Sequence, residues 1–118
     1  MNIKLIQILT ARDTLSRLGE RTLPVKQSYR LAKLIKALNS EMGVYEGERI
    51  KLCEKYGTIN KEESKYDIHD MEGFTRDSEE LLNQEIELEA KPIDISGLEL
   101  TAQDIIKIEP FIEVIDDD

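Results

Sequence analysis

Between Leu31 and Tyr56 the apolar residues fall on a rhythm of four and three: Leu31, Ile35, Leu38, Met42, Tyr45, Leu52 and Tyr56, with only Arg49 out of step. A residue that recurs every 3.5 positions returns to one side of an α-helix, so the stretch predicts a single long helix with an apolar seam. Pro24 suits its first turn, where a missing N–H has no helical partner anyway. Running from Pro24 to Tyr56, such a helix is about 48 Å long at 1.5 Å per residue. Gly43 and Gly47 fall inside it, and at a cost of about 1 kcal/mol each relative to alanine they make a bend there plausible. A chain of 118 residues builds one modest core. It does not need a rod of that length, so the distal seam requires a cover, from its own chain or from a neighbour.

A shorter helix precedes the long one. Leu5, Ile8, Ala11, Leu15 and Leu18 recur at three and four, which predicts a helix over residues 4–18. Gly19 is expected to end it in the left-handed conformation. The two helices with their tight turn predict a long antiparallel helical hairpin.

Charge divides the chain at Gly57. Residues 1–57 hold 11 Lys or Arg against 6 Asp or Glu, and residues 58–118 hold 5 against 19. The expected organisation is a single domain, with a basic helical hairpin (1–57) and an acidic cap (58–118) whose last residues fray. In the cap, residues 66–69 alternate as a strand and 86–89 alternate again, and a pairing of the two is the natural expectation. Residues 71–84 read as a short helix with Phe74, Leu81 and Leu82 as apolar contacts and Asp70 as its cap. Thr101 with Asp104 marks the start of a last helix, which Pro110 should end or kink. The expected fold class is therefore helix-dominated α+β, with a small acidic cap containing a two-stranded sheet and one or two short helices.

Chemistry is sparse. Cys53 is the only cysteine, so no internal disulfide forms, which suits a reducing compartment. It lies next to the seam and reads as a buried structural thiol, without a sequence feature that places an activating base beside it. His69, the only histidine, stands among Asp67, Asp70 and Glu72. A second imidazole or thiolate at ligand spacing is lacking, so a capped polar turn is preferred over a metal site. Phosphate-cradling glycine loops, GxSxG, HExxH and CxxC pairs are all absent from the sequence. Neither a catalytic site nor a cofactor is expected. No apolar run approaches the roughly 20 residues that span a membrane.

What remains is charge and apolar surface. Arg12, Arg17, Arg21, Lys26, Arg30, Lys33 and Lys36 gather around the turn between the helices. Such a stripe can contact phosphates, but with few aromatics and an acidic chain a solvated face, or a contact with the chain's own acidic half, is preferred. The seam residues Met42, Tyr45, Leu52 and Tyr56, with Arg49 among them, are the first candidates for a partner surface, and Arg17, Arg21, Lys26, Arg30 and Lys33 form the second candidate cluster.

Leu23-Pro24-Val25-Lys26, Tyr29, the run from Leu31 to Lys36, and Glu54-Lys55-Tyr56-Gly57 resemble a pattern in small bacteriophage and prophage proteins. Leu81-Leu82, Lys91-Pro92-Ile93 and Glu109-Pro110-Phe111-Ile112 extend that resemblance over nearly the whole chain. It implies a viral or prophage origin and a place in the cytoplasm of a bacterial host, and supplies no catalytic motif. The expected function is non-catalytic: an accessory protein that binds a protein partner, a host protein among the candidates, or self-associates. The alternative is an acidic mimic of nucleic acid that inhibits a host defence protein. Direct nucleic-acid binding and a membrane are not expected.

Overall fold

The structure, a computed structural model, describes residues 1–115; the fraying expected of the last residues falls on Asp116–Asp118 and lies outside the described residues. Helix predominates, accompanied by three short two-stranded pairings, so the class is α+β. Strand β1 (Asn2–Lys4) leads directly into helix α1 (Leu5–Gly19). The Gln7 side chain turns back to accept the Lys4 N–H at 2.8 Å, which satisfies one of the donors that a helix start leaves open. All five stripe residues of α1 are buried, and Thr14 joins them. Gly19 stays helical and is not the left-handed cap expected of it; a Cβ there would lie 3.0 Å from Ile35 Cδ1, so its small size matters more than its freedom.

Helix α2 runs unbroken from Val25 to Tyr56 through both Gly43 and Gly47. Its buried residues are Leu31, Leu34, Leu38, Met42 and Cys53. Ile35 and Tyr45 are half-buried against the same core. Leu34 and Cys53 lie outside the 4-3 seam. A seam describes a helix with one partner, whereas α2 meets α1 on one side and the later elements on others, so its buried stripe is wider. The core gathers Leu15, Leu18, Leu31, Leu34 and Leu38 with Ile93, Ile108 and Phe111 from the C-terminal half. Each such side chain contributes about 1.5–3 kcal/mol through burial.

The strand pairing differs from expectation. Residues 66–69 do not pair with 86–89. Instead β2 (Gly57–Asn60) follows α2 without a break and pairs antiparallel with β3 (Lys65–Ile68), Gly57 opposite Ile68. The turn between them closes with Ser64 at φ 53°. A local hairpin closes a much shorter loop than a pairing across the next helix, and so costs less chain entropy. Strand β4 (Glu85–Glu87) pairs with β1 at the other end of the sequence, Ile86 opposite Ile3. Between β3 and β4 stands α3 (Met71–Leu82), capped by Asp70, which accepts the Gly73 N–H at 3.0 Å.

Strand β5 (Ile93–Asp94) is joined through α4 (Ala102–Ile108) and a 3-10 turn (Glu109–Phe111) to β6 (Ile112–Glu113), which lies parallel to it. The Thr101 hydroxyl caps α4 by accepting the Asp104 N–H at 3.1 Å. The molecule is drawn out along α2, with extents of 57 × 28 × 25 Å and a radius of gyration of 17.3 Å; a compact chain of this length has about 13.5 Å. Among the described residues no helix is long and apolar enough to cross a membrane.

Two glycines give opposite expectations. A Cβ on Gly57 would press into the main-chain oxygen of Asp67 across the β2–β3 pairing. Gly57→Ala is expected to lower stability by about 1–3 kcal/mol, read from urea unfolding midpoints at unchanged slope. Gly47 is exposed on α2 with open space around its Cβ position. Gly47→Ala is expected to raise stability by about 0.4–1 kcal/mol in the same measurement.

Candidate functional site

The two candidate surfaces fare differently. At the distal seam, Met42 is only 6% exposed and belongs to the core. Tyr45, Leu52 and Tyr56 are half-buried, and Arg49 is exposed. The cover comes from the same chain: α3, β2 and β3 pack on the C-terminal half of α2. Gly73 lets α3 approach closely, since a Cβ there would lie 2.6 Å from the Tyr56 ring. The Tyr56 hydroxyl donates to Asp77 on α3, and Lys55 and Arg76 approach the same carboxylate at 3.5 and 3.4 Å. Arg49 bridges Glu46 at 3.2 Å and reaches the Cys53 sulfur at 3.8 Å. The seam is thus occupied within the chain, and Met42 in particular is not available to a partner.

The motif around His69 is also engaged. His69 Nε2 lies 2.9 Å from the Thr58 hydroxyl across the β2–β3 hairpin, and Asp70 caps α3. Among the described residues no group of three or more His, Cys, Asp or Glu is arranged to hold a metal ion. Cys53 is a buried free thiol.

The basic cluster divides into two sets. Arg17 pairs with Asp104 at 3.4 Å, Arg21 donates to the Glu99 carbonyl at 2.9 Å, and Arg30 pairs with Glu113 at 3.7 Å. These tie the helices to the C-terminal half. Gln27 adds hydrogen bonds to the carbonyls of Asp94 at 2.7 Å and Ser96 at 3.2 Å. The Asp94 carboxyl is held below its ordinary value by hydrogen bonds from Ser96, with the Ile115 N–H and the Arg30 charge adding to them against partial desolvation. Lys26, Lys33 and Lys36 have no carboxylate partner among the described residues.

Those lysines line a groove. One wall is the N-terminal half of α2, with Val25, Lys26, Tyr29, Arg30 and Lys33; the other is the segment 88–91 that follows β4. The concavity has a volume of about 720 Å³. A second, of about 480 Å³, continues it along α2 past Lys36, Ala37 and Ser40, opposite Glu87 and Glu89. The α2 wall presents apolar surface where a helix start is ordinarily polar: Val25 is 85% exposed and Tyr29 61%. The Lys33 ammonium lies 5.1 Å from the Tyr29 ring centroid, a cation–π contact that holds the ring at the groove wall. Lys91 adds a further positive charge from the opposite wall.

Sequence reasoning found the lysines but not the groove. Val25 and Tyr29 are spaced i, i+4 and lie off the Leu31 stripe, so an apolar pair on the outward face was there to be seen. Lys91 and residues 88–90 were out of reach, because they are placed by the β1–β4 pairing between the two ends of the chain. Comparison with family models, with curated proteins and with solved structures gives no match.

The Asp77 cluster carries a pH dependence. The Tyr56 hydroxyl, then Arg76 and Lys55, hold the Asp77 carboxyl below its ordinary value, against partial desolvation. A depressed carboxylate stabilises the fold above its unfolded pKa of about 3.9 and loses that contribution as pH falls through the folded value. Asp77→Asn is therefore expected to lower the melting temperature near neutral pH and to reduce its fall between pH 5 and pH 2, followed by circular dichroism.

Proposed function

We propose that the protein is a non-catalytic binding module, and that its partner surface is the basic, apolar-walled groove between the start of α2 and residues 88–91. The observation that carries this reading is the exposed pair Val25 and Tyr29 framed by Lys26, Lys33 and Lys91. Exposed apolar surface rimmed by charge is the usual form of a protein-binding patch. In this reading α1 and α2 act as a basic helical hairpin and residues 58–115 as an acidic cap. The cap shields the distal seam and leaves the proximal face of α2 for a partner. The resemblance carried by residues 23–26, 29, 31–36 and 54–57 is what supports a phage-infected bacterial cytoplasm as the setting of that role. Nucleic-acid mimicry is the weaker reading, because Asp77, Asp104 and Glu113 are spent on contacts within the chain.

The test is retention of protein from a phage-infected bacterial lysate on the immobilised chain. Tyr29→Ala with Lys33→Glu is expected to abolish retention of a discrete species, while Val44→Ser, on another exposed part of α2, retains it. Equal retention by the groove variant, or no enriched species, overturns the reading.

A further inference from the structure

The wall of the groove opposite α2 continues from the edge of a strand, β4, whose last residue, Glu87, lines the second concavity. Leu88 N–H donates to the Met1 carbonyl at 2.8 Å, and Leu5 N–H donates to the Gln84 carbonyl at 3.2 Å. In an antiparallel pair such residues alternate with others whose N–H and C=O point away from the partner strand. With Asn2 opposite Glu87 and Lys4 opposite Glu85, the main-chain groups of Glu85 and Glu87 therefore face outward. Among the described residues nothing accepts the N–H of Glu87 or Glu89, and all three glutamates are exposed. Ala90 N–H then bonds the Leu88 carbonyl at 2.9 Å and turns the chain away. The open edge, Glu85 to Glu87, is about 10 Å long at 3.4 Å per residue.

We propose that this edge receives an extended, acidic segment of a partner protein as a third strand, with alternate side chains turned toward α2. The inference rests on the groove being the partner surface and names the partner's chemistry. An unpaired strand edge beside a helix is the arrangement that binds extended peptides by strand addition: backbone hydrogen bonds supply affinity and side chains of the helix supply selection. Here the helix offers Lys26, Arg30, Lys33 and Lys36 for carboxylates, against one acid of its own, Glu41, and Val25, Tyr29 and Ala37 for an apolar residue. Selection is thus for acidic and aliphatic residues at alternating positions. A second copy of the chain fits poorly, since pairing β4 with β4 sets Glu85 and Glu87 against the same residues and like charges directly opposite destabilise a strand pair, whereas the acidic side chains of the proposed segment turn toward α2, on the face that Ile86 and Leu88 share and not on the exposed face of the glutamates.

The probe is a fluorescent peptide, Asp-Thr-Val-Thr-Asp-Thr-Val-Thr-Asp, measured against the full chain by anisotropy at 50 mM salt. Binding is expected, weakening at least tenfold at 500 mM salt and at least tenfold with Lys33→Glu plus Lys36→Glu. N-methylating alternate amides of the peptide removes backbone donors at constant charge, and in one of the two registers it is expected to abolish binding. Glu87→Pro is expected to do the same from the protein side, because the Glu87 N–H is not used by β1 and proline is tolerated on such an edge. The N-methylated peptides keep the test valid should that variant not fold.

Equal binding of both N-methylated peptides overturns strand addition. Equal binding of oligothymidylate of the same charge overturns the peptide as occupant. A chain ending at Ile115 that binds where the full chain does not assigns the groove to its own tail, and a dimer that Glu87→Pro dissolves assigns it to a second copy; either overturns the proposal. Absence of peptide binding while Tyr29-dependent retention from lysate persists overturns this inference alone. Loss of both overturns the binding-module reading as well.

Discussion

A helix of 32 residues in a chain of this size poses a covering problem, and the rest of the structure is organised by its solution. Helix α1 has 15 residues and packs against the first part of α2. The remaining length is covered by elements that come later in sequence, α3 and the β2–β3 hairpin. The helix in turn gives those elements their stability. Two short strands and a 12-residue helix are marginal alone in water, and here they pack on α2. The dependence is mutual, so the distal end is expected to unfold as one cooperative piece and not strand by strand.

The periodic elements were legible from the sequence. The five stripe residues of α1 are buried as their spacing requires, and α2 begins and ends where Pro24 and Tyr56 mark it. Asp70 and Thr101 cap their helices as their positions suggested. The strand partners were not legible. Alternation marks a strand but carries no information about which other strand it meets, and β1 is too short for its alternation to stand out from the start of α1. Pairing was decided by closure entropy for β2 with β3, and by core formation for β1 with β4, where Ile3 and Ile86 set the register.

The same distinction explains the candidate site. The need for a cover over the seam, from its own chain or a neighbour, was inferred from an excess of apolar residues, and which of the two supplies it is a property of the whole fold and not of the helix. Once α3 docks through Gly73 and Tyr56 the distal seam is covered, while Val44 and Ile50 stay exposed on other sides of α2. At the proximal end Val25 and Tyr29 project from the side of α2 that Leu31 and Leu34 do not use. A surface reading therefore requires the partner assignments that single-sequence periodicity lacks.

Charge near the first turn serves two purposes, and the residue types separate them. The arginines, at 17, 21 and 30, reach carboxylates or a carbonyl of the C-terminal half. Their planar forks hold fixed geometry across a contact at modest entropic cost. The lysines, at 26, 33, 36 and 91, face the groove. An ammonium on a flexible stem is more strongly hydrated and keeps its solvent until a carboxylate displaces it. Arginines on α1, in the turn and on α2 thus make the contacts with the C-terminal half, and the lysines of α2 are left to the groove, which Arg30 also lines. That division bears on why a chain with an excess of acidic residues keeps so many cations near its first turn: the arginines pair with groups of the C-terminal half, and Lys26, Lys33 and Lys36 are left without a carboxylate among the described residues.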